Sequence, residues 1–238
     1  MLTVNPKYEH LRTWIESLPE HFDQEGTRLF KGRNEVRRLT APDGTEVCVK
    51  RYGIPSLPKR FAYTYLRAPK AQRAYSNALR LIASHIPTPE PIAYMIVKSG
   101  ILLSDSYLVT TYGPYPRNFY EFREHGIEGH EPIIRQLAYT VADMHMQHIY
   151  HKDLSPGNLL FDLHDGKVQL AIIDINRMVF PSATIGLHQA CRNFARLWGN
   201  DDFFMLLAKC YAEKRGFSVA LTQQLTLTYH RRFWRFRK

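Results

Sequence analysis

The sequence predicts an α+β fold in two lobes: a strand-rich lobe over residues 1–112 and a short, mainly helical lobe over 113–238. Three observations predict it. Up to about residue 112, short apolar and β-branched runs alternate with turn signals and enclose one internal helix pattern. Beyond it, apolar residues recur at helical spacing over long segments. The change of character falls at one connecting stretch, 112–118, which reads as a hinge.

In the first lobe, Leu11, Trp14, Ile15 and Leu18 follow i, i+3, i+4, i+7 spacing and predict an amphipathic helix. RLFKGRNEVRRL (28–39), APDGT (41–45) and EVCVKRY (46–52) read as strand, turn, strand, with Pro42-Asp43-Gly44 as the connection. Residues 53–70 hold Pro55, Pro58 and Pro69 and read as irregular. AQRAYSNALRLIAS (71–84) predicts a helix, which the prolines of IPTPEP (86–91) end. Residues 93–112 read as two strands around a turn.

In the second lobe, residues 132–150 predict a long helix with Ile133, Ile134, Leu137, Val141 and Met144 on one face and Pro132 in the first turn. VQLAIIDI (168–175) reads as an apolar strand ending in an acid, and 190–214 and 217–230 as helices.

A hydrophobic fraction of 45% with 13% aromatics excludes a disordered chain. The net charge of +10 favours an anionic partner: nucleic acid, a membrane surface or a phosphorylated ligand. Cys48, Cys191 and Cys210 are scattered, which argues against a disulfide framework and a cysteine-paired zinc site. With no apolar run of the ~18 residues needed to span a bilayer and no leader pattern, a cytoplasmic location is expected, with membrane contact only at the surface.

The chemistry concentrates in YHKDLSPGNLLFD (150–162). A turn needs Pro156-Gly157 but does not need both Asp153 and Asn158, five residues apart. Asp174 follows 21 residues after Asp153, and a short hairpin between them would bring two acids and an amide to one edge. Asn and Asp are hard oxygen donors of the kind Mg²⁺ takes while holding a nucleotide triphosphate. A further carboxylate can orient an acceptor hydroxyl and take its proton.

This pattern resembles the protein-kinase-like phosphotransferases, whose catalytic loop H-x-D-x-x-x-x-N is matched by His151, Asp153 and Asn158. The resemblance implies a two-lobed protein-kinase-like fold, with ATP and Mg²⁺ as cofactors. Asp153 would be the catalytic base, and Asn158 and Asp174 the metal ligands. Lys50, ending EVCVK, would grip the phosphates under a loop containing Gly32 and Asn34. Adenine would lie against the hinge backbone at Thr111 and Tyr112. His151 would support the loop, and Lys152 takes the place of the Arg in His-Arg-Asp.

GRNEV, TPEPIAY, HKDLSPGNLLF, IDINRM and CRNFARL narrow the resemblance to the bacterial lipopolysaccharide kinases, which phosphorylate Kdo or heptose of the inner core. Ser155, where protein kinases usually carry Lys, favours a non-protein acceptor. The pattern departs in three places. Gly32 stands alone, residues 71–84 hold no acid to pair with Lys50, and Asp174-Ile175-Asn176 replaces Asp-Phe-Gly. Two alternatives stay open: a kinase for another small molecule or protein, and an inactive kinase-like scaffold at the membrane. No specific nucleic-acid module is found.

The end of the chain mixes cations with aromatics: Arg231, Arg232, Phe233, Trp234, Arg235, Phe236, Arg237 and Lys238. Such a mixture suits an anionic bilayer on the inner face of the inner membrane, each cation contributing about 1 kcal/mol. It suits equally a last helix docking its aromatics on the core.

Overall fold

The computed structural model describes residues 1–113, 115–124 and 126–235. The chain forms two compact units, Met1–Arg80 with Pro89–Gly113, and Leu81–Thr88 with the residues from 114 onward.

The first unit is built on an antiparallel six-stranded sheet. Its strands are β1 (Leu2–Val4), β2 (Thr27–Lys31), β3 (Glu35–Thr40), β4 (Glu46–Tyr52), β5 (Pro91–Ser99) and β6 (Leu102–Thr111), in the order β1-β5-β6-β4-β3-β2. Alternation along β4 sends Val47 and Val49 to one face. There Leu11, Ile15 and Leu18 of helix α1 (Arg12–His21) and its approach cover them. Lys50 and Tyr52 point to the other face. Tyr52 packs there with Ala71 and Tyr75 of α3 (Lys70–Ala83).

Two details differ from the sequence reading. The run 28–39 is two strands, not one, because the Gly32-Arg33-Asn34 turn folds β2 back on β3 as an exposed edge carrying Arg28 and Lys31. Residues 53–70 are not irregular but hold a helix, α2 (Leu57–Tyr65). Pro58 falls in its first turn, where no intrahelical N–H is required, so the proline that suggested a break is tolerated.

The second unit holds a three-stranded sheet, β10 (Lys167–Ile172), β9 (Leu159–His164) and β7 (Arg117–Asn118), and a two-stranded pair, β8 (Tyr150–His151) with β11 (Met178–Val179). Helix α4 (Glu131–Met146) buries the apolar face expected of it and packs against α6 (Asp201–Arg215). Phe119, Phe122, Phe161 and Phe203 interlock in the core, with centroids 5.1–6.2 Å apart for the Phe119–Phe161, Phe122–Phe161 and Phe122–Phe203 pairs.

The predicted helix 190–214 is broken. Helix α5 (Leu187–Asn193) runs into a 3₁₀ turn at Phe194–Arg196, and Asn200 then caps α6 by accepting the Phe203 N–H at 2.9 Å. Gly199 lies within the break, and a Cβ there would sit 2.6 Å from the Phe203 ring. The strand expected over 168–175 stops at Ile172, so Asp174 lies beyond it.

Helix α7 (Val219–Arg235) closes the described chain. Trp234 lies 6.0 Å from Trp198, Phe233 lies under Arg196, and Arg231 pairs with Asp201. Two aromatics of the basic end are therefore turned toward this unit. Phe236, Arg237 and Lys238 lie outside the described residues. Among the described residues, no helix is long and apolar enough to cross a membrane.

Candidate active site

Asp153, Asn158 and Asp174 are brought to one loop edge by backbone pairing. Strands β9 and β10 form a hairpin through Asp165-Gly166, both at positive φ as a two-residue turn requires. Its register sets Leu159 opposite Ile172. One step on, the Ile173 N–H donates to the Asn158 carbonyl at 3.0 Å. Pro87 and Thr88 cover the end of β10, bonding the Ile172 N–H at 3.0 Å and its carbonyl at 2.8 Å. The Asn158 amide donates through Nδ2 to the Asp153 carbonyl at 2.9 Å, which leaves its Oδ1 as the ligand end. Asp174 is left-handed, φ 54° and ψ 42°, a conformation Asp tolerates better than most residues. Its Oδ1 accepts from Asn176 Nδ2 at 2.7 Å.

His151 is fully buried and makes no approach to solvent chemistry. Its Nδ1 accepts the Asp153 backbone N–H at 3.0 Å and its Nε2 donates to the Ile173 carbonyl at 3.2 Å, tying the loop to the segment that carries Asp174. A chain of buried hydrogen bonds reaches it from behind. Arg215 donates to the Tyr211 oxygen at 2.6 Å, and the Tyr211 hydroxyl donates to His145 Nδ1 at 2.9 Å. His145 Nε2 donates to Asn193 Oδ1 at 3.1 Å, and Asn193 Nδ2 donates to the His151 carbonyl at 2.8 Å. With both imidazoles neutral, every donor in this run meets an acceptor.

Burial pushes His145 down to about 4, against the opposing pull of the Asn193 hydrogen bond, and burial lowers His151 too. An unfolded chain takes up a proton near 6.5 that the folded His145 refuses until about 4. Stability therefore falls as pH drops through that window, by up to about 3 kcal/mol for this one ring. Melting temperatures measured across the window should decline toward acid, and His145→Gln should flatten the decline in part, His151 keeping the remainder. An identical slope in the variant would remove His145 from the account.

The Asp153 carboxylate is clamped by two guanidiniums. Arg196 bonds Oδ1, and Arg177 Nη1 lies 3.3 Å from Oδ2. Neither is assigned a role by sequence reasoning, nor is Asn193, although all three sit in or beside the INRM and CRNFAR stretches. Residues 24 and 43 positions from Asp153 converge on it only through tertiary packing. Lys152 is exposed beside the clamp.

In the first unit, Lys50 stands on β4 between Val36 and Leu108, its Nζ 5.2 Å from the Tyr52 ring centre. The Asn34 Oδ1 accepts the Gly53 N–H at 3.3 Å. Gly32 donates its N–H to the Asn34 carbonyl at 3.0 Å. Gly53 must be glycine, because a Cβ there would lie 2.0 Å from the Arg33 carbonyl oxygen. At the hinge, the Thr111 and Tyr112 N–H groups are engaged by the Glu90 and Glu46 carbonyls, each at 2.9 Å.

Among the described residues, no three His, Cys, Asp or Glu side chains group as a self-sufficient metal site. The Asn158 amide oxygen and the Asp174 carboxylate are a hard-oxygen pair, which suits Mg²⁺ shared with a nucleotide's phosphates.

Comparison with known proteins agrees with this construction. The family described as lipopolysaccharide kinase (Kdo/WaaP) matches residues 53–229, about three-quarters of the chain. A solved structure, "WaaP in complex with acyl carrier protein", superposes with a TM-score of 0.64 at 16% identity, covering 98% of this chain and 97% of that one. It shares the fold: a strand-rich sheet with a helical part. Nothing among the curated proteins matches the chain.

Proposed function

This chain belongs to the lipopolysaccharide kinase (Kdo/WaaP) family, and from that premise we propose that it moves the γ-phosphoryl group of ATP to a sugar hydroxyl of the lipopolysaccharide inner core, on Kdo or heptose. The observation that carries the reading is the Asp153 carboxylate, held by Arg196 and Arg177 on a loop bonded to Asn158 and to the backbone before Asp174.

Asp153 orients the acceptor hydroxyl and takes its proton. Asn158 and Asp174 hold Mg²⁺, which when bound neutralises charge on the transferring phosphates. Lys50 binds the phosphates beneath the Gly32–Asn34 turn, and adenine lies at the hinge beyond Tyr112, whose N–H serves the sheet. Lys152, Arg177 and Arg196 give the acceptor side of Asp153 a cationic rim suited to an anionic sugar such as Kdo. The basic end of the chain, through exposed Arg232 and Arg235, is a candidate contact with the inner membrane, and acyl carrier protein a candidate partner.

The test is acceptor mass after incubation with Mg-ATP and Kdo-bearing lipid A. A gain of about 80 Da per acceptor is expected. ATP binding with no acceptor modified among lipid A species, free sugars and proteins would favour the inactive scaffold, a reading motivated by the lone Gly32 and the acid-free helix α3. No ATP binding would overturn the kinase reading.

A further inference from the structure

Helix α2 is inside out. Two of its polar residues turn to the sheet: Arg60 Nε donates to the Leu103 carbonyl at 2.6 Å, and Thr64 Oγ1 accepts the Leu103 N–H at 3.0 Å. Tyr63 packs on the neighbouring core cluster. Its apolar residues turn out. Ile54, Leu57, Phe61, Tyr65 and Leu66 are 54–76% exposed, and no residue of α2 is buried. Leu57, Phe61 and Tyr65 are spaced by four and share one stripe, the two rings 5.0 Å apart. A stripe of this kind, left open on a water-soluble surface, marks an interaction site.

Charge identifies the partner. Between Glu46 and Glu90 the chain holds eight Lys or Arg and no Asp or Glu, so this stretch supplies +8 of the net +10. Lys59 and Arg67 are exposed on and just after the helix. Exposed Lys59 lies at one edge of the outward arc that contains the stripe.

We infer that α2 is an interfacial helix that docks this protein on an anionic bilayer. Leu57, Phe61 and Tyr65 enter the boundary between headgroups and acyl chains, while Lys59 and Arg67 meet lipid phosphates. A convex, aromatic-bearing stripe bordered by cations fits such a surface, where the apolar layer is continuous and the charge lies just above it. The inference is independent of phosphoryl transfer, because docking needs neither nucleotide nor acceptor sugar.

The test uses the full chain and co-sedimentation with vesicles of phosphatidylcholine, alone or mixed equally with phosphatidylglycerol. Binding is expected to the anionic vesicles and to weaken with salt. L57S/F61S/Y65S should reduce it at least about tenfold, and K59E/R67E by a similar factor, with melting temperatures unchanged because these side chains are exposed. R232E/R235E, on α7, should weaken it less than either α2 variant does. The inference is overturned by absence of wild-type binding, or by equal binding of the α2 variants. It is equally overturned if those variants abolish binding of acyl carrier protein, or self-association, while vesicle binding persists.

Discussion

Asp153→Asn is expected to lower kcat for phosphoryl transfer by about 10²–10⁴-fold while leaving ATP affinity and the melting temperature close to those of the unaltered protein. The separation follows from which atoms of Asp153 do what. Its backbone N–H and carbonyl hold the loop, bonded to His151 and Asn158, and both survive the substitution. The carboxylate bonds only outward, to Arg196 and Arg177, which are partly exposed, so losing its charge changes stability by about 1 kcal/mol or less. An amide can still accept from Arg196 but cannot remove a proton from an attacking hydroxyl. Steady-state kinetics, nucleotide titration and a thermal melt decide it. Unchanged kcat would dismiss Asp153 as the base, and a large drop in melting temperature would give the carboxylate a structural role instead.

Asn193→Leu is expected to lower stability by about 2–5 kcal/mol and to impair catalysis through the loop. Asn193 is almost fully buried and serves two partners with one amide. Leu keeps the branched shape, with a larger volume, but leaves His145 Nε2–H and the His151 carbonyl unsatisfied in the core, and each such group costs about 1–3 kcal/mol. The His151 carbonyl lies two residues before Asp153, so its shift reaches the reacting group. Asn193→Asp keeps an acceptor for His145 but sets a carboxylate oxygen against the His151 carbonyl, so it should also lower the melting temperature near neutral pH. Denaturant titration of both variants checks this. Near-normal stability in Asn193→Leu would show that water replaces the amide.

The loop of the candidate site was legible because its residues lie close together in sequence: His151, Asp153 and Asn158 need only their spacing to be recognised. Asp174 was legible because a two-residue turn makes the intervening hairpin a local structure. The periodicity of α1, α3 and α4 survives folding because each buries its apolar stripe. Helix α2 was not legible: its apolar stripe has no core to face, and its prolines signal a break that first-turn placement avoids. The arginine clamp and Asn193 were hidden for another reason. Their roles are fixed by α5 and the turns around it meeting the loop, a long-range event with no local signature.

The hydrogen-bond run from Arg215 to His151 has a consequence for motion. Functional loops usually belong to the least protected parts of a protein, opening many times before the whole chain unfolds. Here the amide of Asp153 is held by the His151 ring, and the backbone carbonyl of His151 is held from α4, α5 and α6. Its hydrogen exchange should therefore be as slow as that of the core helices, governed by global opening of this unit. If the proposed transfer reaction takes place here, the loop is its rigid partner, and adjustment to an incoming acceptor would fall to the exposed Arg177 side chain.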